Sequence, residues 1–432
     1  MLAGSWTGSG LRGHNVTPTA RSLSARQLRR RAIVTAPLAD IRVVEIAAFV
    51  AAPAAGALLA DLGAEVIKVE PPEGELIRHS RPRHHGFRSD FDGSPQFEME
   101  NRGKRSLTLD LTREAAREAL LKLIDSADVV LTNMLPGRQR RFGLDTESLR
   151  ATRPRLITAT LTGYGKRGDE ADKPAFDYAA AWARTGMMDL TRDPAAPPAF
   201  QRPGMCDHAA ALALTSGILA ALRARDSGGE GQDIDVSLLQ TGLYLLGNDL
   251  SQTLATRLPV PMHVREAPRN PLWNHYRSAD DRWVMMVMID SPRYWGPFLR
   301  AIDCVELEVD PRFVGPVERY RNSAELVKLL DAAFAARTLA EWENAFEGHD
   351  IIWAPVRSIE ETLDDPQIRA MRYFTTVDHP QLGPFDTMGP PLLMSSHPMP
   401  ADRPAPVLGA DAEAVLREAG LSDAEIDAAL DR

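Results

Sequence analysis

Between residues 38 and 161, short runs of Val, Ile, Leu and Thr alternate with stretches whose apolar residues recur at helical spacing. No other feature of the chain restricts its fold as strongly. The runs are too short for helices, and they alternate with helical stretches as the strands of an α/β domain do. Strands are expected at Arg42–Ile46, 65–69, 107–111, Val129–Thr132 and 156–161, with helices at 53–62, 113–126 and 144–151. Pro53 near one helix start, Gly63 after its end and Pro71-Pro72 after a strand supply the punctuation. Strand–helix alternation of this kind gives an α/β domain with a largely parallel sheet, expected over residues 37–244. Ligands of such a sheet sit at the carboxyl ends of its strands, here residues 47–52, 70–75, 133–137 and 163–168.

The pattern changes at residue 245. Prolines at 261, 268 and 271 break the chain, a strand is expected at 283–289, and helices follow at 292–301, 323–336 and 339–346. This reads as a smaller α+β domain over 245–345, followed by a C-terminal segment, 346–432, with short strands and a final helical pair. Residues 1–36 read as a disordered leader, rich in Arg, Ser, Thr and Gly and without an acid before Asp40. That composition fits a transit peptide, or an upstream tail with the true start near Val34. The chain of 432 residues has net charge −9, so no basic field serves nucleic acid. Two cysteines exclude a disulfide framework and suit the cytoplasm. The apolar stretch 46–60 is too short to span a membrane.

Candidate chemistry centres on residues 201–225. Pro203-Gly204 leads into Cys206-Asp207-His208 and then an Ala- and Leu-rich helical run. Asp207 reads as a helix N-cap, or as an ionised nucleophile favoured by the helix dipole and approached over small residues. Asp177 is a second acid at a helix entry, ahead of an expected helix over 179–188, and the two make a candidate catalytic pair. Cys206 reads as a small buried filler rather than a thiol nucleophile. Gly163-Tyr164-Gly165-Lys166-Arg167-Gly168 spells a dinucleotide motif, yet acids and Pro174 follow where a helix should begin, so it is a decoy. His79, His84 and His85 lack partner ligands at metal spacing, and no metal is expected.

Several ordered blocks of the chain resemble the class III CoA-transferases, the CaiB/BaiF-type family that also holds α-methylacyl-CoA racemases. They are the run 58–72 (LLADLGAEVIKVEPP), Asn101-Arg102-Gly103-Lys104-Arg105-Ser106, Asn133-Met134-Leu135-Pro136-Gly137 with Arg141, Gly231-Gln232 with Asp235-Val236-Ser237-Leu238, and Ala405-Pro406-Val407-Leu408-Gly409. The resemblance covers the chain from about Pro37 onward. It implies a Rossmann-like large domain with a smaller α+β domain in an interlocked homodimer, the site lying between one subunit's large domain and its partner's small domain.

By the same resemblance, Asp207 is the nucleophile and Asp177 the second acid, while Cys206 stands where the family has Gly. Pro71 replaces an adenine-stacking Arg, and Arg269-Asn270-Pro271 replaces a glycine-rich loop. No His occurs between His85 and His208, against the racemase pattern. CoA or acyl-CoA is implied as a substrate, with no permanently bound cofactor. Its expected contacts are Val50, Ala51, Leu109, Asn133 and Met134, with Arg141, Lys104 and Lys173 for the phosphates. The implied reaction moves CoA from an acyl-CoA to a carboxylic acid through an aspartyl-CoA thioester, without metal or ATP. Isomerisation with Asp177 as base, and non-catalytic acyl-CoA binding, are the alternatives. Neither membrane nor nucleic acid is expected as a partner.

Overall fold

A computed structural model describes residues 36–82, 91–397, 399 and 401–432. The leader, apart from Ala36, and His84 and His85 lie outside these residues. The central sheet has six parallel strands in the order β3-β2-β1-β4-β5-β6: β1 is Arg42–Ile46, β2 Glu65–Glu70, β3 Arg105–Thr108, β4 Val129–Thr132, β5 Ile157–Thr162 and β6 Asp233–Ser237. The order reverses between β1 and β4, the switch point at which a doubly wound sheet opens a crevice.

Successive side chains of a strand point to opposite faces, and the core divides accordingly. Val43, Val66, Val129 and Ile157 pack on one side beneath the helices Ala51–Asp61 and Met205–Asp226. Val44, Ile67 and Val130 pack on the other, under Glu114–Ile124 and the C-terminal helices Ala412–Glu418 and Asp423–Leu430. The last segment therefore completes the first domain's core. Arg105 pairs with Glu418, and Ser106 N–H donates to Asp411, fastening it to the edge strand.

Some elements move from their expected places. The third strand ends at Thr108, because Asp110 accepts from both the N–H and the hydroxyl of Thr112 and turns the chain there. The helix expected over 179–188 is a single π-helical turn, Tyr178–Ala183, followed after left-handed Gly186 by the short helix Met187–Leu190. π-Turns of this kind collect at functional sites. Met205–Asp226, contrary to expectation, has the length and hydropathy of a membrane-crossing helix. Its buried face, including Ala210, Leu214 and Ile218, is part of the core beside Ala51–Asp61.

The middle unit has its own core, from Leu272 to Phe346. β7 (Trp273–Arg277), β8 (Trp283–Val287) and β9 (Trp353–Pro355) form an antiparallel sheet. Because β9 pairs with β8, this unit runs past the boundary expected at 345. β10 (Phe374–His379) and β11 (Gly383–Met388) form a separate hairpin.

Candidate active site

A cavity of about 1330 Å³ runs along the carboxyl ends of all six strands. Leu109 follows β3, Glu73 follows β2, Val50 follows β1, Met134 follows β4, Gly163 follows β5 and Leu238 follows β6, and each lines it. Six strands at about 4.8 Å spacing make the trough roughly 24 Å long. At the switch point the Asn133 amide clamps the two loops together. Its Oδ1 accepts from Ala48 N–H (3.1 Å) and its Nδ2 donates to Ala48 O (2.7 Å). Asn133 thus shapes the cavity wall as well as facing the cavity.

Phe49 adopts a left-handed conformation (φ 67°), uncommon for a bulky residue. Glu75 holds it there by accepting the Phe49 N–H at 2.6 Å. Glu75 in turn pairs with Lys68 (2.7 Å), Lys68 with Glu45 (3.1 Å), and Glu45 with Lys104 (2.7 Å), all buried. Burial works against the Lys68 charge, but Glu45, Glu75 and Glu70 hold its pKa above the ordinary value. Lys104 is pushed down to about 8 by burial despite Glu45.

Asp207 lines the same cavity. Its helix begins one turn earlier than a cap reading requires. Left-handed Gly204 (φ 77°) is the N-cap, so Asp207 lies inside the first turn and caps nothing. A Cβ at position 204 would stand 3.3 Å from the His208 ring and 3.6 Å from Val50, in addition to the strain of the backbone. The dipole does not dominate Asp207, as the helix position alone suggests. Burial, then Asp177 and Glu100, push its pKa up to about 7, with His208 acting in the opposite sense.

Asp177 is only 2 % exposed and lies behind the cavity wall. Gln201 Nε2 donates to its Oδ2 at 2.5 Å, and Gln201 Oε1 accepts from Cys206 Sγ at 3.5 Å. One amide therefore links the second acid to the residue beside Asp207. Burial, with Asp177 and Asp207, pushes the Cys206 thiol up to about 11, which removes it as a thiolate nucleophile at neutral pH. His208 Nε2 lies 2.8 Å from the buried Glu100 carboxylate, whose hydrogen bond raises the imidazole's pKa.

Val50, Ala51, Leu109, Asn133 and Met134 line the cavity as their positions suggest. Lys104 does not: its ammonium is spent on Glu45, Asn101 and the Pro53 carbonyl, which corrects its expected phosphate role. Arg141 and Lys173 are also absent from the lining. Lys173 pairs with Glu170 at the surface, and Arg138, one turn before Arg141, takes the lining position on the helix Pro136–Phe142. Gln201, Glu100, Glu75 and Arg138 are additions to the site. Arg138 had a visible signal in the basic run Arg138-Gln139-Arg140-Arg141, while Glu75 and Gln201 lie within stretches already singled out, 70–75 and 201–225. The decoy glycine run forms a turn after β5 with Gly165 and Gly168 left-handed, and no helix begins in it.

The family model described as CoA-transferase family III matches residues 38–412. The chain belongs to this family. It is 32 % identical over 393 residues to (R)-2-hydroxy-4-methylpentanoate CoA-transferase of Clostridioides difficile, covering 90 % of this chain and 97 % of that protein. Cinnamoyl-CoA:phenyllactate CoA-transferase of Clostridium sporogenes is 31 % identical over 391 residues, covering 90 % and 94 %. Succinyl-CoA:mesaconate CoA-transferase of Haloarcula hispanica is 31 % identical, covering 89 % and 96 %. A crystal structure of a CAIB/BAIF family protein from Brucella suis superposes with a TM-score of 0.76 at 29 % identity, covering 89 % of this chain and all of that one. The chain is an enzyme of the family III CoA-transferase class, and CoA thioesters and carboxylic acids are the substrates of that class.

Proposed function

We propose that the enzyme transfers CoA between acids through an aspartyl-CoA thioester on Asp207. One observation carries this reading: Asp207 is a carboxylate in the wall of a trough far longer than a small acid needs, with a second acid locked behind it. The trough accepts an extended thioester, and Arg138 is the cation that lines it for a phosphate.

An Asp207 oxygen attacks the thioester carbonyl carbon, the C–S bond breaks, and CoA leaves as thiolate while the acyl group stays on Asp207 as a mixed anhydride. The thiolate attacks the aspartyl carbonyl carbon, the C–O bond to the anhydride oxygen breaks, and the donor acid departs as carboxylate. An acceptor carboxylate then runs the two steps in reverse. No net proton or electron is consumed. The His208 N–H is occupied by the Gly204 carbonyl at 2.9 Å, so backbone donors for the tetrahedral oxyanion come from the turn before it.

Asp177 is poorly placed as a base for α-carbon isomerisation, since it is outside the cavity lining and already accepts from Gln201. Its part is to hold negative charge behind the nucleophile. Exposed Tyr244, Leu245, Leu254 and Leu258, around a helix Gly247–Thr256 with no buried residue, support the interlocked homodimer. Two free cysteines fit a cytoplasmic enzyme.

Incubation with an acyl-CoA and an isotopically labelled carboxylic acid tests the reading. Label should appear in the acyl-CoA pool with no deuterium uptake at the α-carbon from heavy water. Deuterium uptake without acyl exchange would replace transfer by isomerisation.

A further inference from the structure

The end of the trough at Asp207 is walled by aromatic rings. Phe49 and Phe176 meet edge to face at 5.2 Å, both line the cavity, and they remain 38 % and 58 % exposed. Glu75 and the buried ion cluster fix Phe49 in its left-handed conformation, so the ring is held in place rather than left at a loose surface. Phe176 immediately precedes Asp177. Tyr178, on its other side, packs on Phe200 at 5.3 Å and feels the charges of both Asp177 and Asp207. Large rings left exposed together beside a reactive carboxylate await an apolar group.

The charges at this end tell the same story. Asp177, Asp207 and Glu100 are acidic, and His208 is held by Glu100. Arg202 acts on Tyr178, whereas the cation acting on Asp207 is His208. Arg138 is the arginine of the cavity lining, on the helix that follows β4, and the CoA-transfer reading assigns it to a phosphate. A second carboxylate on the substrate would be buried against rings without a partner, which is costly.

We propose that Phe49 and Phe176 form the acyl wall of the site, and that the acids exchanged are monocarboxylic acids with an aromatic or branched apolar side chain, dicarboxylic acids being excluded. This rests on the CoA-transfer reading.

The test is degenerate exchange, in which the full chain is given one acyl-CoA and the same acid carrying isotope. No unknown co-substrate is then needed. kcat/KM for the 3-phenylpropanoate pair should exceed that for the succinate pair about tenfold or more. Phe176→Ala should lower this ratio about tenfold, and Phe176→Arg should invert it by supplying the missing cation. Succinate exchanging as fast as 3-phenylpropanoate, or Phe176→Ala lowering both pairs equally, would overturn the assignment of the acyl wall while leaving CoA transfer intact. Absence of exchange with every acid would overturn CoA transfer itself, and the acid class with it.

Discussion

Two clusters of buried charge lie at the same sheet edge and obey opposite rules. In the first, Glu45, Lys68, Glu75 and Lys104 alternate in sign, each carboxylate against an ammonium. In the second, Asp207 faces Asp177 and Glu100, and only His208 brings opposite charge. The paired cluster is suited to holding a backbone in place, and through Glu75 it holds Phe49. The like-charged cluster is suited to raising the energy of an anion, which is what a carboxylate nucleophile requires. Paired charge builds the wall and unpaired charge does the chemistry.

The largest expected effect comes from removing the nucleophile. Asp207→Asn should lower acyl exchange by about ten-thousand-fold, measured as label transfer at saturating acyl-CoA, while acyl-CoA still binds. Comparable loss from Asp177→Asn with full activity in Asp207→Asn would reverse the roles of the two acids. Next comes the paired cluster. Lys68→Met leaves Glu75 buried without its cation and Glu45 with Lys104 alone, and should cost about 3–5 kcal/mol in urea unfolding, whereas a loss under 1 kcal/mol would mean the cluster is hydrated.

The two clusters should also differ in pH behaviour. Asp207 has a folded pKa raised from 3.8 to about 7. Activity that needs its anion should therefore rise with pH through about 7 and level off above. The sign for stability is opposite. Between these two pKa values the unfolded chain ionises this carboxyl while the folded chain keeps it protonated, so folding loses about 1.4 kcal/mol per pH unit there. Asp207→Asn should then be more stable than the parent at pH 8 and no more stable at pH 4, read from thermal melts. A smaller effect is expected at Gln201. Gln201→Leu removes the amide that donates to Asp177 and should shift the acid limb of the rate profile by a few tenths of a unit to about one unit toward acid. An unchanged limb would show that Asp177 does not set the charge at Asp207.

Much of this arrangement is legible in the chain. The β1, β2, β4 and β5 runs are short, rich in Val, Ile, Leu and Thr, and separated by helical stretches, the alternation that builds a parallel sheet. The edge strand β3 is displaced because Asp110 and Thr112 build a turn inside the expected run. Asp207 stands out in sequence as an acid between a Pro-Gly breaker and a long apolar helix. Glu100 does not, because it approaches Asp207 through tertiary packing. Lys104 misled for the same reason. The family resemblance of the Arg-Gly-Lys-Arg run implies a phosphate ligand, yet Gly56 in the neighbouring helix leaves room for the Lys104 ammonium to reach Glu45. The helix after Asp177 became a π-turn, a change of hydrogen-bond register that composition does not announce.

The most direct measurement follows the atoms of Asp207. During turnover with an acid labelled in its carboxylate by heavy oxygen, each transfer leaves one acid oxygen on the nucleophile. Peptide mass mapping should find the label on Asp207 alone, and a CoA adduct on the same peptide when acceptor is withheld. Label on Asp177, or turnover that leaves the peptide of Asp207 unlabelled, would contradict the account.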